Sequence, residues 1–165
     1  MTLSQNPNED TKVFIILSLL CGKLVPSVAR GRAASSKKFT KPSILDAQDN
    51  LVLHVKTQTD ITNALVKRRE VHLEKKLTCQ PIVVCVGQSV EELEEFYMNY
   101  DDVTYHMSTL LQAVDICFKI FQVIDVQYPS ECLQQWMFIQ HYFYKIETPQ
   151  DVKFPSVCSL IADLK

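Results

Sequence analysis

Glycine is scarce in this chain, three residues in 165. That leaves no G-x-G-x-x-G or Walker pattern for cradling phosphates, and little of the turn chemistry that repetitive β architectures require. Nothing repeats at a spacing of 20–50 residues, which sets solenoids and propellers aside. The cysteines at 21, 79, 85, 117, 132 and 158 include no C-x-x-C pair. No histidine stands three to five residues from another, so no zinc half-site is spelled out. Long apolar runs are also missing. Residues 13–21 make nine, against the ~20 needed to span a bilayer. A net charge of −2 excludes a protein that coats nucleic acid along its whole surface.

What is present is enough apolar sequence, 47 %, to build a core for one domain with a tail. The small net charge conceals a split. Residues 1–76 carry thirteen Lys and Arg against seven Asp and Glu, and residues 77–165 carry four against twelve. Either the basic end approaches a polyanion, or the two halves attract each other. Cys85 and Cys117 lie in apolar runs, where a free thiol behaves as a small hydrophobe. Reduced core thiols suit a cytoplasmic or nuclear protein better than a secreted one.

The run at 13–21 has the length of a signal-peptide core, and Ser27, Val28 and Ala29 offer a cleavage site. Against that reading, Glu9 and Asp10 stand where basic residues are expected, and Lys23 interrupts the run. A packed helix ended by Pro26 is the expectation. Residues 30–42 then carry five positive charges and no acid among small polar residues, the composition of a flexible connector or of a phosphate-contacting segment. Residues 1–11 and 30–42 are expected to pack poorly, with proteolysis starting in the basic segment. The domain expectation is 1–42 for the N-terminal apolar helix and basic linker, and 43–165 for a single α+β domain.

Leu51, Leu53 and Val55 alternate with Val52, His54 and Lys56, which predicts a strand with one buried face. Thr59 and Asp60 offer an N-cap for a helix to about Leu77, with Ile61, Ala64 and Leu65 on its apolar face and Lys67, Arg68 and Arg69 on others. The β-branched run 82–86 predicts a central strand covered on both faces. Gly87, Gln88 and Ser89 follow, without the rest of an anion-binding motif. Two aromatic-rich runs around Asp101 and Asp102 predict a hairpin, the aspartates serving turn chemistry rather than catalysis. Ser108 is the expected N-cap of a helix to about Val126. Leu111, Val114 and Phe118 lie on its main face and Leu110, Ile116, Cys117, Ile120 and Ile124 on its flanks, an apolar surface wide enough for the central helix of the core. After Tyr128 and Pro129, a helix from Cys132 to Ile146 places Trp136, Ile139 and Phe143 on one face. A short last helix covers 156–164. The fold class is α+β, a small mainly antiparallel sheet with packed helices.

Several stretches carry a resemblance. They are Lys41, Pro42 and Ser43 with 53–56; Lys67, Arg68, Arg69 and Glu70; Gln80 to Val84 with Val86 and Gly87; and, most clearly, 111–119 continuing through Tyr128, Pro129, Trp136, Phe138, Ile139, Gln140, Tyr144, Lys145 and Ile146. Together they resemble a family of uncharacterised animal proteins associated with mobile elements, some labelled as similar to a sterile-alpha-motif-domain protein. The likeness covers about residues 41–146. No established activity travels with it, and the five-helix sterile-alpha-motif pattern is not present in this sequence. Larger members carry further modules upstream, so the resemblance implies a C-terminal piece of such a protein.

Catalytic chemistry is not spelled out. His54, His72, His106 and His141 fall on unrelated elements, and no nucleophile, metal-ligand or paired-acid motif is legible. The expectation is a non-enzymatic protein without cofactor or metal, one that binds another protein through exposed aromatics and its acidic half. The alternative is a nucleic-acid-binding accessory domain using Arg30, Arg32, Lys37, Lys38 and Lys41 with Lys67, Arg68 and Arg69. Asp115, in an apolar run one turn before Lys119, is expected to act in stability rather than turnover.

Overall fold

The change from period 2 to helical period that the sequence carries at residue 108 is where sheet gives way to helix. The computed structural model describes residues 8–26, 41–74 and 80–165. In chain order its elements are α1 (Glu9–Lys23), α2 (Ile44–Leu51), β1 (Val52–Val55), α3 (Gln58–Glu74), β2 (Ile82–Gly87), β3 (Leu93–Tyr100), β4 (Val103–Met107), α4 (Leu110–Ile124), a 3-10 turn (Ser130–Cys132), α5 (Leu133–Phe138), a π-helical turn (Ile139–Phe143) and α6 (Pro155–Asp163). The fold is α+β, with one four-stranded sheet in the order β1-β2-β3-β4. β1 and β2 run parallel through the α3 crossover, and β2, β3 and β4 are antiparallel neighbours. The chain divides into two compact units, Met1–Leu17 with Val52–Gln127, and Ser18–Leu51 with Tyr128–Lys165.

The first unit holds the sheet. Every residue of β2 is buried, as its unbroken β-branched run requires. Ile82, Val84 and Val86 pack with Val55, Ile61 and Tyr97, and Leu53, Ala64 and Leu65 close that side under α3. Alternation sends Val83 and Cys85 to the other face, beside their β3 neighbours Met98 and Phe96. There α4 packs on β2, β3 and β4 through Leu110, Ala113, Val114, Cys117, Phe118 and Phe121.

Three expectations are corrected in this unit. β1 starts at Val52 because Leu51 ends α2, and both of its faces are covered rather than one: Leu53 and Val55 face α3, while His54 lies against Phe14 of α1, ring centroids 6.0 Å apart. α4 leaves Leu111 62 % and Val123 83 % exposed, so it covers one face of the sheet and is not enclosed as a central helix. Asp10 and Thr11, within the segment expected to pack poorly, are packed in the first turn of α1, whereas Asn8 and Glu9 are exposed. Thr11 is buried and its hydroxyl donates to Val90 O at 3.2 Å, and Asp10 Oδ1 accepts the Leu110 N–H at 2.8 Å, neutralising an orphan donor at the start of α4. The remainder of the two segments expected to pack poorly lies outside the described residues, apart from Lys41, which is exposed, and Pro42, which is half-buried.

Caps fix the helix boundaries one or two residues from where propensity puts them. Thr57, not Thr59, starts α3. Its N–H and hydroxyl both donate to Asp60 Oδ2, at 3.1 and 2.7 Å. Thr109, not Ser108, caps α4, its hydroxyl accepting the Gln112 N–H, while Gln112 Oε1 accepts the Ser108 N–H in return. Asp125 ends α4 in the left-handed region at φ 51°.

The second unit is helical. Leu24, Phe138 and Val157 form its buried cluster, with Leu20, Tyr142, Phe154, Leu160 and Ile161 packed against it. Trp136 is buried and stacks on Tyr128, 5.8 Å between centroids. Gln134 and Gln135 donate to Val25 O and Leu24 O at 2.9 and 2.8 Å, satisfying carbonyls where α1 ends before Pro26. Helix α2, which sequence periodicity did not mark, is started by Ser43, whose N–H and hydroxyl donate to Asp46 Oδ2. The π-helical turn puts one extra residue into the helix after Phe138 and rotates Phe143 out of register, leaving it 65 % exposed instead of aligned with Trp136 and Ile139.

Gly22, in the last turn of α1, meets nothing within 4 Å at the place a Cβ would occupy. Gly22→Ala is therefore expected to raise stability by up to about 1 kcal/mol, read as a higher urea midpoint.

Candidate interaction surface

The β3–β4 hairpin carries four aromatic residues, Phe96, Tyr97, Tyr100 and Tyr105, and four acidic ones, Glu94, Glu95, Asp101 and Asp102. Its turn is Asp101 and Asp102, with Asp101 at φ 54°, the conformation aspartate tolerates at a two-residue turn. Arg69 of α3 holds that turn, Nη1 to Asp102 Oδ1 at 2.7 Å and Nη2 to Asp101 O at 2.8 Å. Across the hairpin, Asn99 Nδ2 donates to Val103 O at 3.0 Å and to Thr104 Oγ1 at 2.9 Å. On the same face, Gln58 Nε2 donates to Tyr97 Oη at 2.8 Å, and Tyr97 Oη donates to Glu95 Oε2 at 2.6 Å. Burial, reinforced by the bond to Glu95, pushes the Tyr97 phenol above its ordinary value. His106 sets its ring edge-on to Tyr97 at 5.1 Å. These groups hold the hairpin in shape.

Among the described residues, what the hairpin leaves open is β4. Its residues 103–106 are all exposed, and Val103 and Tyr105 are each 49 % exposed. The strand reads Val-Thr-Tyr-His-Met, without Lys, Arg, Glu, Asp or Pro, the residues that usually guard a sheet edge. Sequence reading placed this hairpin but missed its open edge, because an edge is defined by the strand that does not follow. The available signal was that the chain turns helical directly after Met107.

The basic residues singled out for phosphate contact are distributed differently. Arg30, Arg32, Lys37 and Lys38 lie outside the described residues. Lys41 belongs to the second unit and precedes α2, whereas Lys67, Arg68 and Arg69 sit together on α3 in the first. Lys67 is exposed, Arg68 is half-buried and donates to Gln80 O at 3.3 Å, and the Arg69 guanidinium is engaged on the hairpin turn.

Four histidines serve packing and local bonds. His54 Nε2 is 2.9 Å from Gly87 O, and buried His72 Nδ1 is 2.8 Å from Arg68 O on its own helix. In the second unit His141 Nε2 lies 2.9 Å from Asp151 Oδ2, which also accepts from Gln140 Nε2 and the Thr148 N–H, while Thr148 Oγ1 donates to Oδ1. This clasp ties the turn at 148–151 to the π-helical turn. Burial pushes the thiols of Cys21 and Cys85 up to about 12 and that of Cys117 higher, which keeps them protonated and unreactive. Among the described residues no three His, Cys, Asp or Glu side chains gather as a metal site, and no helix is long and apolar enough to cross a membrane.

Asp115 and Lys119 form the expected pair at 2.7 Å, with 34 % and 57 % of their side chains exposed. At that exposure Asp115→Ala is expected to cost less than about 1 kcal/mol in urea denaturation. A loss near 3 kcal/mol would mean that the carboxylate anchors the core after all.

Comparison with protein-family models, curated proteins and solved structures finds no match for this chain.

Proposed function

We propose that this chain is a non-enzymatic protein-interaction module, of a mobile-element-derived protein in keeping with the sequence resemblance, and that the β3–β4 hairpin is its contact surface. The observation that supports this reading is β4 itself, an uncharged strand with Val103 and Tyr105 half out in solvent at the rim of a well-packed sheet. An apolar, unguarded strand edge offers main-chain hydrogen bonds for affinity and alternating side chains for specificity. The hairpin bonds made by Asn99, Gln58 and Arg69 hold that edge in shape before a partner arrives, which lowers the cost of association.

Cross-linking in native cells followed by mass spectrometry tests it, comparing wild type with Tyr105→Lys. The expected result is a reproducible set of protein partners that persists at high salt and is lost in the variant. Nucleic acid recovered in place of protein, with binding that falls steeply as salt rises, would overturn the reading. That outcome would favour the basic set of Arg30, Arg32, Lys37, Lys38, Lys41, Lys67, Arg68 and Arg69.

A further inference from the structure

We propose that the occupant of the β4 edge is a second copy of this chain, the two β4 strands pairing antiparallel about a twofold axis through Tyr105. This rests on the hairpin being a contact surface and goes further by naming the partner. The β3–β4 register pairs Tyr100 with Val103, Met98 with Tyr105 and Phe96 with Met107 across a two-residue turn. In such a hairpin the pair flanking the turn is hydrogen-bonded and the pattern alternates, so the backbone groups of Val103, Tyr105 and Met107 face β3. Those of Thr104 and His106 face outward. Two copies joined about Tyr105 set Thr104 of each opposite His106 of the other, which uses every outward N–H and C=O of both residues.

The side chains suit the same register. On one face Val103 meets Met107 of the second copy and Tyr105 meets its own equivalent, an apolar row from Val103 and Tyr105 that each chain alone leaves half exposed. On the other face Thr104 meets His106. Shifting the axis to His106 would set the two imidazoles directly opposite, and shifting it to Thr104 would leave Met107 outside the apolar pairs. Charge points the same way. In the antiparallel arrangement Asp101 and Asp102 of one copy come beside Ser108 and Thr109 of the other, joining Asp10 at the positive end of the fifteen-residue α4. A parallel arrangement would oppose the two acidic turns. Five residues on each side bury less than the ~1,200 Å² of a standard stable interface, so the association is weak, with a Kd on the order of 100 μM.

Sedimentation equilibrium on the full chain is the first test. From about 10 μM to about 1 mM the average mass is expected to rise from near one chain toward two, an extent set by that Kd. Thr104→Pro removes an outward N–H and keeps the backbone bonds to β3, losing only the Asn99 bond to Thr104 Oγ1 while that to Val103 O remains, and Tyr105→Lys opposes two charges on the axis. Both are expected to remain monomeric at 1 mM with unchanged circular dichroism. Either one suffices if the other fails to fold. Register is read by mild oxidation with Cys79 and Cys158 replaced by Ser. Tyr105→Cys, on a non-hydrogen-bonded pair with Cα atoms about 4.5 Å apart, is expected to give a disulfide-linked dimer at least tenfold faster than Val103→Cys. A wild-type chain that stays monomeric to 1 mM, or equal cross-linking at 103 and 105, overturns the proposal. If the chain is monomeric while Tyr105→Lys still loses its cellular partners, self-pairing fails and the module reading stands. If it dimerises while the variant keeps its cellular partners, the hairpin is a contact surface for a second copy alone, and its role toward other proteins fails.

Discussion

Gly87→Ala is expected to cost about 2–4 kcal/mol of folding stability. The cause is space. Gly87 does not sit at positive φ, so alanine could adopt its backbone conformation. A Cβ at this position, however, would lie 2.1 Å from Glu92 O and 2.9 Å from both Glu92 C and Leu93 Cα, all backbone atoms. The β2–β3 register slips between Val86 and Gly87, which brings the start of β3 close against Gly87 where it pairs with Leu93. Making room means moving β3, whose residues 96–99 are buried in the sheet, and pulling Gly87 O from His54 Nε2. Urea denaturation should show a much lower midpoint with unchanged slope. A midpoint within about 0.5 kcal/mol of wild type would mean that the bulge relaxes freely. Gly22→Ala, expected to go the other way, shows on the same protein that the open space around a glycine decides the sign.

The architecture was legible wherever side-chain period and burial agree. Residues 82–86 read as a covered strand because both faces are apolar, and the hairpin read correctly because paired aspartates accept the strained turn. The misreadings have local causes. α4 carries more apolar residues than it buries, so counting them enlarged its role: Leu111 and Val123 face solvent. Phe143 was misplaced because a π-helical turn breaks the 3.6 period without leaving a mark in composition. α2 buries only Ala47 and Leu51, too few to show a period. Its signal was the Ser43–Asp46 spacing, which recurs as Thr57–Asp60 and Thr148–Asp151 with the same pair of bonds to the aspartate. The contact surface was legible only as a hairpin. Whether a strand is an edge depends on residues far from it in sequence, and the period of Val103 to Met107 says nothing about a missing neighbour.

The third of those pairs, Thr148–Asp151, supports the other large expected effect, the loss of the Asp151 clasp in acid and on mutation. The Asp151 side chain is 14 % exposed. Burial alone would raise its carboxyl, but the bonds from Thr148, His141 and Gln140 outweigh burial and bring it down from 3.8 to about 2. A carboxylate with a depressed folded pKa contributes stability that is fully present above its unfolded value near 4 and is lost as pH falls through about 2. The difference corresponds to about 2–3 kcal/mol, removed between about pH 4 and pH 2. At pH 7 Asp151→Ala should cost about 3 kcal/mol, because it also leaves Gln140 Nε2 and the Thr148 N–H without their acceptor beside the π-helical turn. Asp151→Asn keeps the shape and should lose less, while flattening the acid limb of the stability profile. Urea midpoints from pH 7 down to pH 2 on the three proteins separate these effects. Should Asp151→Asn retain the same acid slope as wild type, the carboxylate is not the group that titrates, and the clasp would then hold through its neutral bonds.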